Sequence, residues 1–297
     1  RGDVRTGNGG STAGEVAPPP SVDRGMALLV SAVMTVFDTD WRLISAETRR
    51  ALRERSDTVA DMPVARALAD FEEGLALFRD AGNVPTYVLA LTFYCTAALE
   101  LGDEQRSMAL AEEALALSRQ AGDRLGEGRA LLSLEDLAFV HGDYARAAEW
   151  NAASVAVFEA VGDSTYLALT MLRQAYLFWV QGDLTGAAAL CRQAIERAHQ
   201  MGYSSGITEG LEGLALILCD LGQPERAVRA LGAVESLRTS MATGLGRSAR
   251  PTRLVYIDRA IATLRAALGD EAYASAFTAG RALPLEEAIA EALESPR

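Results

Sequence analysis

The chain has 297 residues, 49% of them hydrophobic and 23% charged, which is the composition of a globular protein with a large core. Its formal net charge of −12 disfavours direct contact with nucleic acid by this segment, because DNA- and RNA-binding surfaces are normally basic. All 28 basic residues are arginine, which excludes both a P-loop lysine and a Schiff-base lysine. The longest apolar run near the start, Gly25 to Phe37, is too short to span a bilayer, so we expect no membrane contact.

The first sixty residues do not follow the pattern of the rest. Residues 1–23 are rich in Gly, Ser and Pro and are predicted to be a disordered linker or tail. Two helices are predicted between residues 24 and 62. Because their register does not fit the later repeat, we interpret this segment as a divergent N-terminal cap. Pro63 suits the first turn of the next helix, where backbone N–H groups have no helical acceptor.

A glycine then recurs every twenty residues. The glycines of this series are Gly82, Gly102, Gly122, Gly142, Gly162, Gly182, Gly202 and Gly222. Aspartate follows five of them, at Asp103, Asp123, Asp143, Asp163 and Asp183. Glycine can take the left-handed conformation that ends a helix, and aspartate can accept from the free N–H groups that begin the next one. Each pair therefore predicts a tight turn between two antiparallel helices.

Two such helices form a unit of forty residues, and the regular array is predicted to cover residues 63–240. Small side chains recur at two fixed places around alternate turn glycines, which lets paired helices approach closely. They are Ser107, Ala147, Ala187 and Ala227 after the glycine, and Cys95, Ala175 and Ala215 before it. This pattern resembles the tetratricopeptide repeat, whose unit has about 34 residues, and the longer unit here leaves a HEAT-like stack as the alternative.

The predicted fold is therefore all-α: a right-handed, tetratricopeptide-like solenoid of about nine regular helices with a capping module at each end. The C-terminal module is predicted over residues 241–297. It begins with a break from Met241 to about Pro251. Three helices should follow, at about Thr252–Leu268, Asp270–Ala279 and Pro284–Glu294.

The last repeat and the C-terminal module resemble large actinobacterial transcription regulators of the LuxR-type or AfsR-like class, signal-transduction NTPases related to MalT. The residues that carry the resemblance are Pro224-Glu225-Arg226-Ala227, Arg229-Ala230-Leu231-Gly232-Ala233, Leu237-Arg238, Arg265, Leu268-Gly269, Tyr273, Phe277, Gly280-Arg281-Ala282-Leu283 and Glu287-Ala288. The resemblance extends over residues 63–293 and is generic in the middle of the array. The same array is also attached to cyclases and kinases, so the resemblance leaves the output domain open.

The resemblance implies the sensing or interaction arm of a cytoplasmic regulator. Neither a P-loop motif nor a basic helix-turn-helix is present in this chain, so its NTPase and DNA-binding domains would be absent here. The alternative is a stand-alone adaptor that binds a peptide or a partner protein. In either case the partner would be a protein, a peptide or a small effector held in the concave groove.

No residue pattern indicates catalysis, a metal or a cofactor. His141 and His199 precede turn glycines, where a positive charge near a helix C-terminus is mildly favoured, and neither lies in a metal-binding motif. The three cysteines lack the Cys-x-x-Cys spacing and are expected to be buried apolar residues in a reducing compartment, which indicates a cytoplasmic location. We therefore predict a non-enzymatic protein without catalytic residues.

Glu135 is the unusual acid of the sequence, because by register it occupies a place where the other units have Cys, Ala and Ala. It could hold a ligand cation in a groove, or its charge could reach out to solvent or pair with a nearby arginine. In tetratricopeptide arrays the first helix of each hairpin lines the concave surface. Trp150, on a second helix, is expected to pack outside or between repeats. The predicted concave binding residues are Arg129, Glu135, Asp136, Phe139, Leu172, Tyr176, Trp179, Glu209 and Glu212.

Overall fold

The computed structural model describes residues 20–38, 52, 62–240 and 251–294. Three predicted segments lie outside the described residues: residues 1–19 of the tail predicted at 1–23, the second predicted helix of the N-terminal cap apart from Leu52, and the predicted break at 241–250. The prediction of a tail is wrong for residues 20–23, which form the first turn of a helix that begins at Pro20. The described ranges contain thirteen helices and no strand. They are α1 (Pro20–Asp38), α2 (Pro63–Asp80), α3 (Val84–Glu100), α4 (Glu104–Ala121), α5 (Arg124–Val140), α6 (Tyr144–Val161), α7 (Ser164–Val180), α8 (Leu184–Gln200), α9 (Ser204–Asp220), α10 (Pro224–Ser240), α11 (Pro251–Leu268), α12 (Asp270–Arg281) and α13 (Leu285–Leu293). No helix within these ranges combines the length and the apolar character needed to cross a bilayer.

The helices from α2 to α10 form an array of antiparallel hairpins, as predicted. α3 packs against α4, α5 against α6, α7 against α8 and α9 against α10, and each hairpin also contacts the next. We call α3, α5, α7 and α9 the inner helices, and α2, α4, α6, α8 and α10 the outer helices. The all-α repeat fold and the nine helices predicted between residues 63 and 240 are confirmed.

The turns are built as the glycine and aspartate series predicts. All eight glycines of the series have positive φ, from 65° to 87°. At the first inner hairpin, Gly102 N–H donates to the Leu99 carbonyl and Asp103 N–H to the Ala98 carbonyl, both at 2.8 Å, which satisfies the last carbonyls of α3. The five aspartates then each accept from a backbone N–H in the first turn of the following helix, at 2.9–3.2 Å. Tyr203 provides no such side-chain cap.

Small side chains lie where the paired helices approach most closely. Ser107, Ala147, Ala187 and Ala227, in the first half of four outer helices, are all 0% exposed. Cys95 on α3 is also buried, and its sulfur lies 3.2 Å from the Ser107 hydroxyl of α4. A larger side chain at these positions would force the two helices of a hairpin apart.

The C-terminal module adds three helices close to the predicted bounds. α12 packs face to face with α10, where a Cβ on Gly232 or Gly280 would overlap the backbone of the other helix. α13 lies against both α8 and α10, and α11 contacts α9, α10 and α12. The three helices therefore cover two different sides of the last repeat.

The apolar core is divided into two clusters in the middle of the array. One large cluster of buried residues runs from Val22 to Val157, and a second runs from Leu172 to Ala292. Between them, around α5, α6 and α7, lie buried polar side chains, with a small cluster formed by Ala138, Ala147 and Leu177. The buried polar residues of this junction are Ser133, Glu135, Asn151, Ser154, Thr170 and Arg173.

We predict that Asp143→Ala lowers the free energy of unfolding by about 1 kcal/mol, because the first turn of α6 loses its side-chain acceptor. Asp143 is exposed, and its side chain accepts a hydrogen bond from Arg146 N–H at 3.1 Å. Chemical denaturation followed by circular dichroism measures the change. Asp143→Asn, which keeps an acceptor oxygen, should stay near wild type. Equal losses in the two variants would contradict the capping role.

Candidate functional site: the concave surface

The array curves toward its inner helices. α3 packs closely against α5, and α7 against α9, whereas α5 and α7 are farther apart, as are successive outer helices, which are separated by clefts. The side on which the helices lie closer together is the concave side of a solenoid. The predicted binding residues lie on three of these inner helices: α5, α7 and α9.

A buried arginine unites the two acids predicted on α5. Arg173 of α7 is 5% exposed and binds both oxygens of Asp136; one of the two hydrogen bonds, from Nη2 to Oδ2, measures 3.0 Å. Its Nη1 also lies 3.7 Å from Oε2 of Glu135, which is 2% exposed. Of the alternatives for Glu135, the structure therefore shows pairing with an arginine.

Arg173 was not among the predicted site residues. By register it replaces Phe93, Ser133 and Gly213 of the other inner helices. The comparison that singled out Glu135 would also have singled out Arg173, since both are charges at positions that are otherwise uncharged. The two odd charges in neighbouring units are each other's partners.

A second link joins α5 to α7 near the N-terminal ends of the two helices. Arg129 donates from Nε to the Tyr166 hydroxyl at 2.8 Å, and its guanidinium carbon lies 5.2 Å from the centre of that ring. The Tyr166 ring stacks on Phe158 of α6, with ring centres 4.7 Å apart. Arg129 therefore holds two repeats together through contacts with a half-buried tyrosine.

Five aromatic side chains meet at the C-terminal ends of α5 and α7. The Phe139 ring centre lies 5.4 Å from that of Tyr144 and 6.5 Å from those of Tyr176 and Tyr256. Trp179 lies 6.1 Å from Tyr176 and 5.3 Å from Tyr256, measured between ring centres. We call these five residues the aromatic cluster. Three of them, Phe139, Tyr176 and Trp179, are predicted concave residues.

The chain's own helix α11 covers part of this surface. Ile257 and Ala260 are buried against Tyr176 and Leu216 of the inner helices, and Tyr256 completes the aromatic cluster. Burial, together with the neighbouring Tyr144, raises the pKa of the Tyr256 phenol. Sequence periodicity gave no signal for this contact, because α11 follows the break and belongs to no repeat.

An opening remains between α5, α7 and α11. Its volume is about 410 Å³, including the part open to solvent. The floor and walls combine the paired charges with aromatic rings. The lining residues are Glu135, Asp136, Phe139, Val140, Arg173, Tyr176 and Tyr256.

The other predicted residues lie apart from this opening. Leu172 is 1% exposed and belongs to the core between α7, α8 and α9. Glu212 is also 1% exposed and is paired with Arg238 of α10. Glu209 is half-buried on α9. The structure therefore brings Glu135, Asp136, Phe139, Tyr176 and Trp179 into one region, whereas Leu172 and Glu212 are interior residues.

Cys95 and the two imidazoles are engaged elsewhere in the structure, whereas Cys219 packs beside the aromatic cluster. Burial raises the pKa of the Cys95 thiol to about 11, so this group stays protonated at neutral pH and is a weak nucleophile. His141 lies 2.9 Å from Glu104, and His199 lies 3.2 Å from Glu286. Among the residues that the structure describes, no three His, Cys, Asp or Glu side chains are grouped as metal ligands.

Comparisons with known proteins leave the family open. No protein-family model matches the chain, and no curated protein matches its sequence. Among solved structures, the chain is similar to BtubC (BKLC) from P. vanneervenii, with a TM-score of 0.44 and 12% sequence identity. That match covers 68% of this chain and 92% of the other.

We predict that Arg173→Met lowers the free energy of unfolding by about 3–5 kcal/mol, because two acids at a buried helix contact lose their counter-charge. Thermal or urea denaturation measures the loss. Adding Glu135→Gln and Asp136→Asn to the Arg173→Met chain should recover part of it, since the uncompensated charges are then removed. A triple variant no more stable than the single one would show that the electrostatic pairing is unimportant.

Proposed function

We propose that this chain is a non-enzymatic binding scaffold, the sensing or interaction arm of a cytoplasmic transcription regulator of the LuxR-type or AfsR-like class. In this proposal the NTPase and DNA-binding domains belong to other parts of the full-length regulator. The partner is a peptide, a protein segment or a small effector that binds at the concave surface. The observation that carries the proposal is the opening beside the aromatic cluster, at the junction between the two core clusters.

The chemistry of the opening suits recognition. Aromatic rings give large apolar contact areas at little cost in side-chain entropy, and they are common anchors at interfaces. Trp179 and Phe139 are half-buried, so each presents part of its ring to solvent. The Asp136–Arg173 pair offers polar groups beside those rings, already held in place by mutual hydrogen bonds. Such an arrangement fixes the orientation of an incoming segment without costly rearrangement.

The charged groups of this region support a binding role over a catalytic one. Arg173 is engaged with Asp136 and Glu135, and Arg129 with Tyr166. General acid–base or nucleophilic catalysis needs a group that is free to exchange a proton or attack a substrate atom. Here the arginines are committed to links between repeats.

Binding at the opening would act on α11, because Tyr256 forms one of its walls. An effector that contacts α5, α7 and α11 together favours the arrangement in which those three helices keep their present distances. An effector or partner that binds the aromatic cluster in place of Tyr256 favours the arrangement in which α11 is detached from the concave surface. Either differential affinity shifts the population between two states and would change contacts with the rest of the regulator.

A stand-alone adaptor is the second candidate function. It uses the same concave surface, so the binding site does not distinguish it from the regulator. The full reading frame distinguishes them: an upstream P-loop domain supports the regulator, whereas a native start near Met26 supports the adaptor. Titration of the intact protein with candidate effectors and with its own remaining domains then tests the sensor role directly.

We predict that Phe139→Ala combined with Trp179→Ala weakens partner binding at least about tenfold, because two aromatic anchors are lost from one surface. Isothermal titration or fluorescence anisotropy with the partner identified for the wild-type chain measures the change. Circular dichroism should show retained helix in this double variant.

Trp150→Phe is the matched control. Trp150 lies on the outer helix α6 and packs against the core cluster that runs from Val22 to Val157, as expected from its position. This variant also removes an indole from the array, but it keeps an aromatic ring at that position and changes no residue of the aromatic cluster, so it should bind like wild type. Equal binding by the control, the wild type and the double variant would rule out the aromatic cluster as the contact surface.

A further inference from the structure

The convex side of the array carries a series of clefts between successive outer helices. Each cleft has an inner helix as its floor, and equivalent clefts are related by the forty-residue repeat. The first lies between α2 and α4 over α3, and the fourth lies between α8 and α10 over α9. Residues that line the first cleft therefore have counterparts three units later in the fourth.

The fourth cleft holds a helix of the chain itself. α13 lies along α8 and α10, and its apolar residues Ala288 and Ala292 face Leu211, Leu214 and Ala230 of the cleft. Ala288, Ile289 and Ala292 are all buried there, at 3–5% exposure. The fourth cleft thus accommodates a short amphipathic helix.

Charged groups fix the direction of α13 in the fourth cleft. At its N-terminal end, Glu286 lies 3.2 Å from His199 of α8. At its C-terminal end, Arg226 donates to the carbonyls of Glu291 and Glu294, at 3.1 and 2.8 Å, and Arg192 donates to the carbonyl of Ala292 at 3.0 Å. Positive charge at a helix C-terminus also complements the helix dipole.

The second cleft, between α4 and α6, is closed by a side chain instead. Trp150 of α6 stands at the register position that Leu110 has in α4 and Ala230 has in α10. It is half-buried against the core, and the guanidinium of Arg146 lies 5.3 Å from its ring centre. A tryptophan at this register fills the space that a docked helix would need.

Among the described residues, no helix occupies the first cleft. Its volume is about 620 Å³, including the part open to solvent. No described residue outside α2, α3 and α4 lines it. Its floor is apolar: Leu91 is fully buried, and Leu75 and Leu110 keep 8% and 9% of their surface exposed. These three residues correspond to Ile195, Leu211 and Ala230 of the fourth cleft.

Each end of the first cleft is held by an arginine, a tyrosine and a glutamate. At one end, Arg79 of α2 donates to the Tyr87 hydroxyl, which donates to Glu113 of α4 at 2.6 Å. At the other end, Arg106 of α4 lies 3.1 Å from Glu72 of α2, and the Tyr94 hydroxyl donates to that same glutamate at 3.0 Å. These two bridges link α2 to α4 across the ends of the cleft.

We propose that the first cleft is a docking site for a short amphipathic helix of a partner protein. The helix would lie as α13 lies in the fourth cleft, with a face of small and branched apolar residues on the leucine floor. This site is on the convex side and is separate from the concave surface of the proposed function.

Charge complementarity defines the partner further. Arg79 stands where His199 meets Glu286, so the partner helix carries an acidic residue in its first turn. Arg106 stands where Arg226 binds the last carbonyls, so the helix ends there. Glu72 replaces Arg192, so a basic residue in the last turn of the partner faces it. Acidic first turns and basic last turns are also what the helix dipole favours.

The probe is a synthetic peptide with the sequence of residues 284–294, in which Glu294 is replaced by arginine and a second arginine is added. A staple between positions 287 and 290, which are exposed on α13, holds it helical, since so short a helix is marginal in water. Fluorescence anisotropy with the whole chain should give saturable binding with a Kd on the order of 10–100 μM. The parent peptide with its C-terminal glutamate should bind about threefold more weakly.

Leu110→Trp is the decisive variant, because it copies into the first cleft the residue that fills the second. Leu190→Trp makes the same substitution at the equivalent register position of α8 and serves as the control. Binding should fall at least about tenfold in Leu110→Trp and stay at the wild-type level in Leu190→Trp. Ala76→Phe, at an exposed lining position, is a second block that does not depend on core packing.

Three outcomes overturn the proposal. One is no binding of the probe to the wild-type chain at about 1 mM. Another is unchanged binding in both Leu110→Trp and Ala76→Phe, which would mean that the peptide occupies another cleft, such as that of α13 in a second copy. The third is loss of binding in Phe139→Ala with Trp179→Ala, since that pair alters the concave surface alone. Loss of partner binding at the concave surface in this double variant tests the proposed function only and does not bear on the convex site.

Discussion

A left-handed glycine every twenty residues is the constraint on which the rest of the structure depends. Each glycine of the series has positive φ, which allows the chain to reverse at once where a residue with a Cβ would be strained. Because the interval is constant, the helices have nearly equal lengths, 17 or 18 residues in the array. Equivalent residues therefore recur at the same height in every hairpin, and inner and outer helices alternate without exception from α2 to α10.

The aspartate after the glycine stabilises both the end of one helix and the start of the next. Its backbone N–H completes the end of one helix, and its carboxylate accepts from the first turn of the next. One residue thus satisfies groups on two helices, which keeps the connection to two or three residues. Such short connections leave the helices no choice but to pack side by side.

Periodic features of the fold could be predicted from the sequence for this reason. The turns, the helices of the array and the small residues at hairpin contacts all repeat. A correct interpretation of one unit therefore applies to every other unit. Glu135 was visible as a charge that breaks its register. Arg173 is likewise a charge at a position that is uncharged in the other units. Only a comparison of every register position between units would have identified both residues as a pair.

Contacts that do not repeat could not be predicted. α11 and α13 follow the break and belong to no unit, so periodicity says nothing about the side of the array on which they lie. Tyr256 reaches the concave aromatic cluster, and Ala288 reaches a convex cleft, although both come from the same short module. Their positions depend on long-range apolar contacts, which carry no local sequence signature.

The region of the concave opening is also where the interior is most polar. Asn151 of α6 donates to the Thr170 carbonyl of α7 at 3.2 Å, and Arg173 and Glu135 lie buried nearby. Polar contacts are directional and fix the register of neighbouring helices, but they contribute less net stability than an equal area of apolar packing. Specific contacts therefore replace part of the apolar core at the junction.

This junction has a mechanical consequence. A stack held together by a continuous core bends evenly, whereas a stack whose core is interrupted is most compliant at the interruption. Tyr256 touches Phe139 on one side of the interruption and Trp179 on the other, so α11 acts as a brace across the most compliant point. Resistance to bending at this point thus depends partly on a helix that belongs to no repeat.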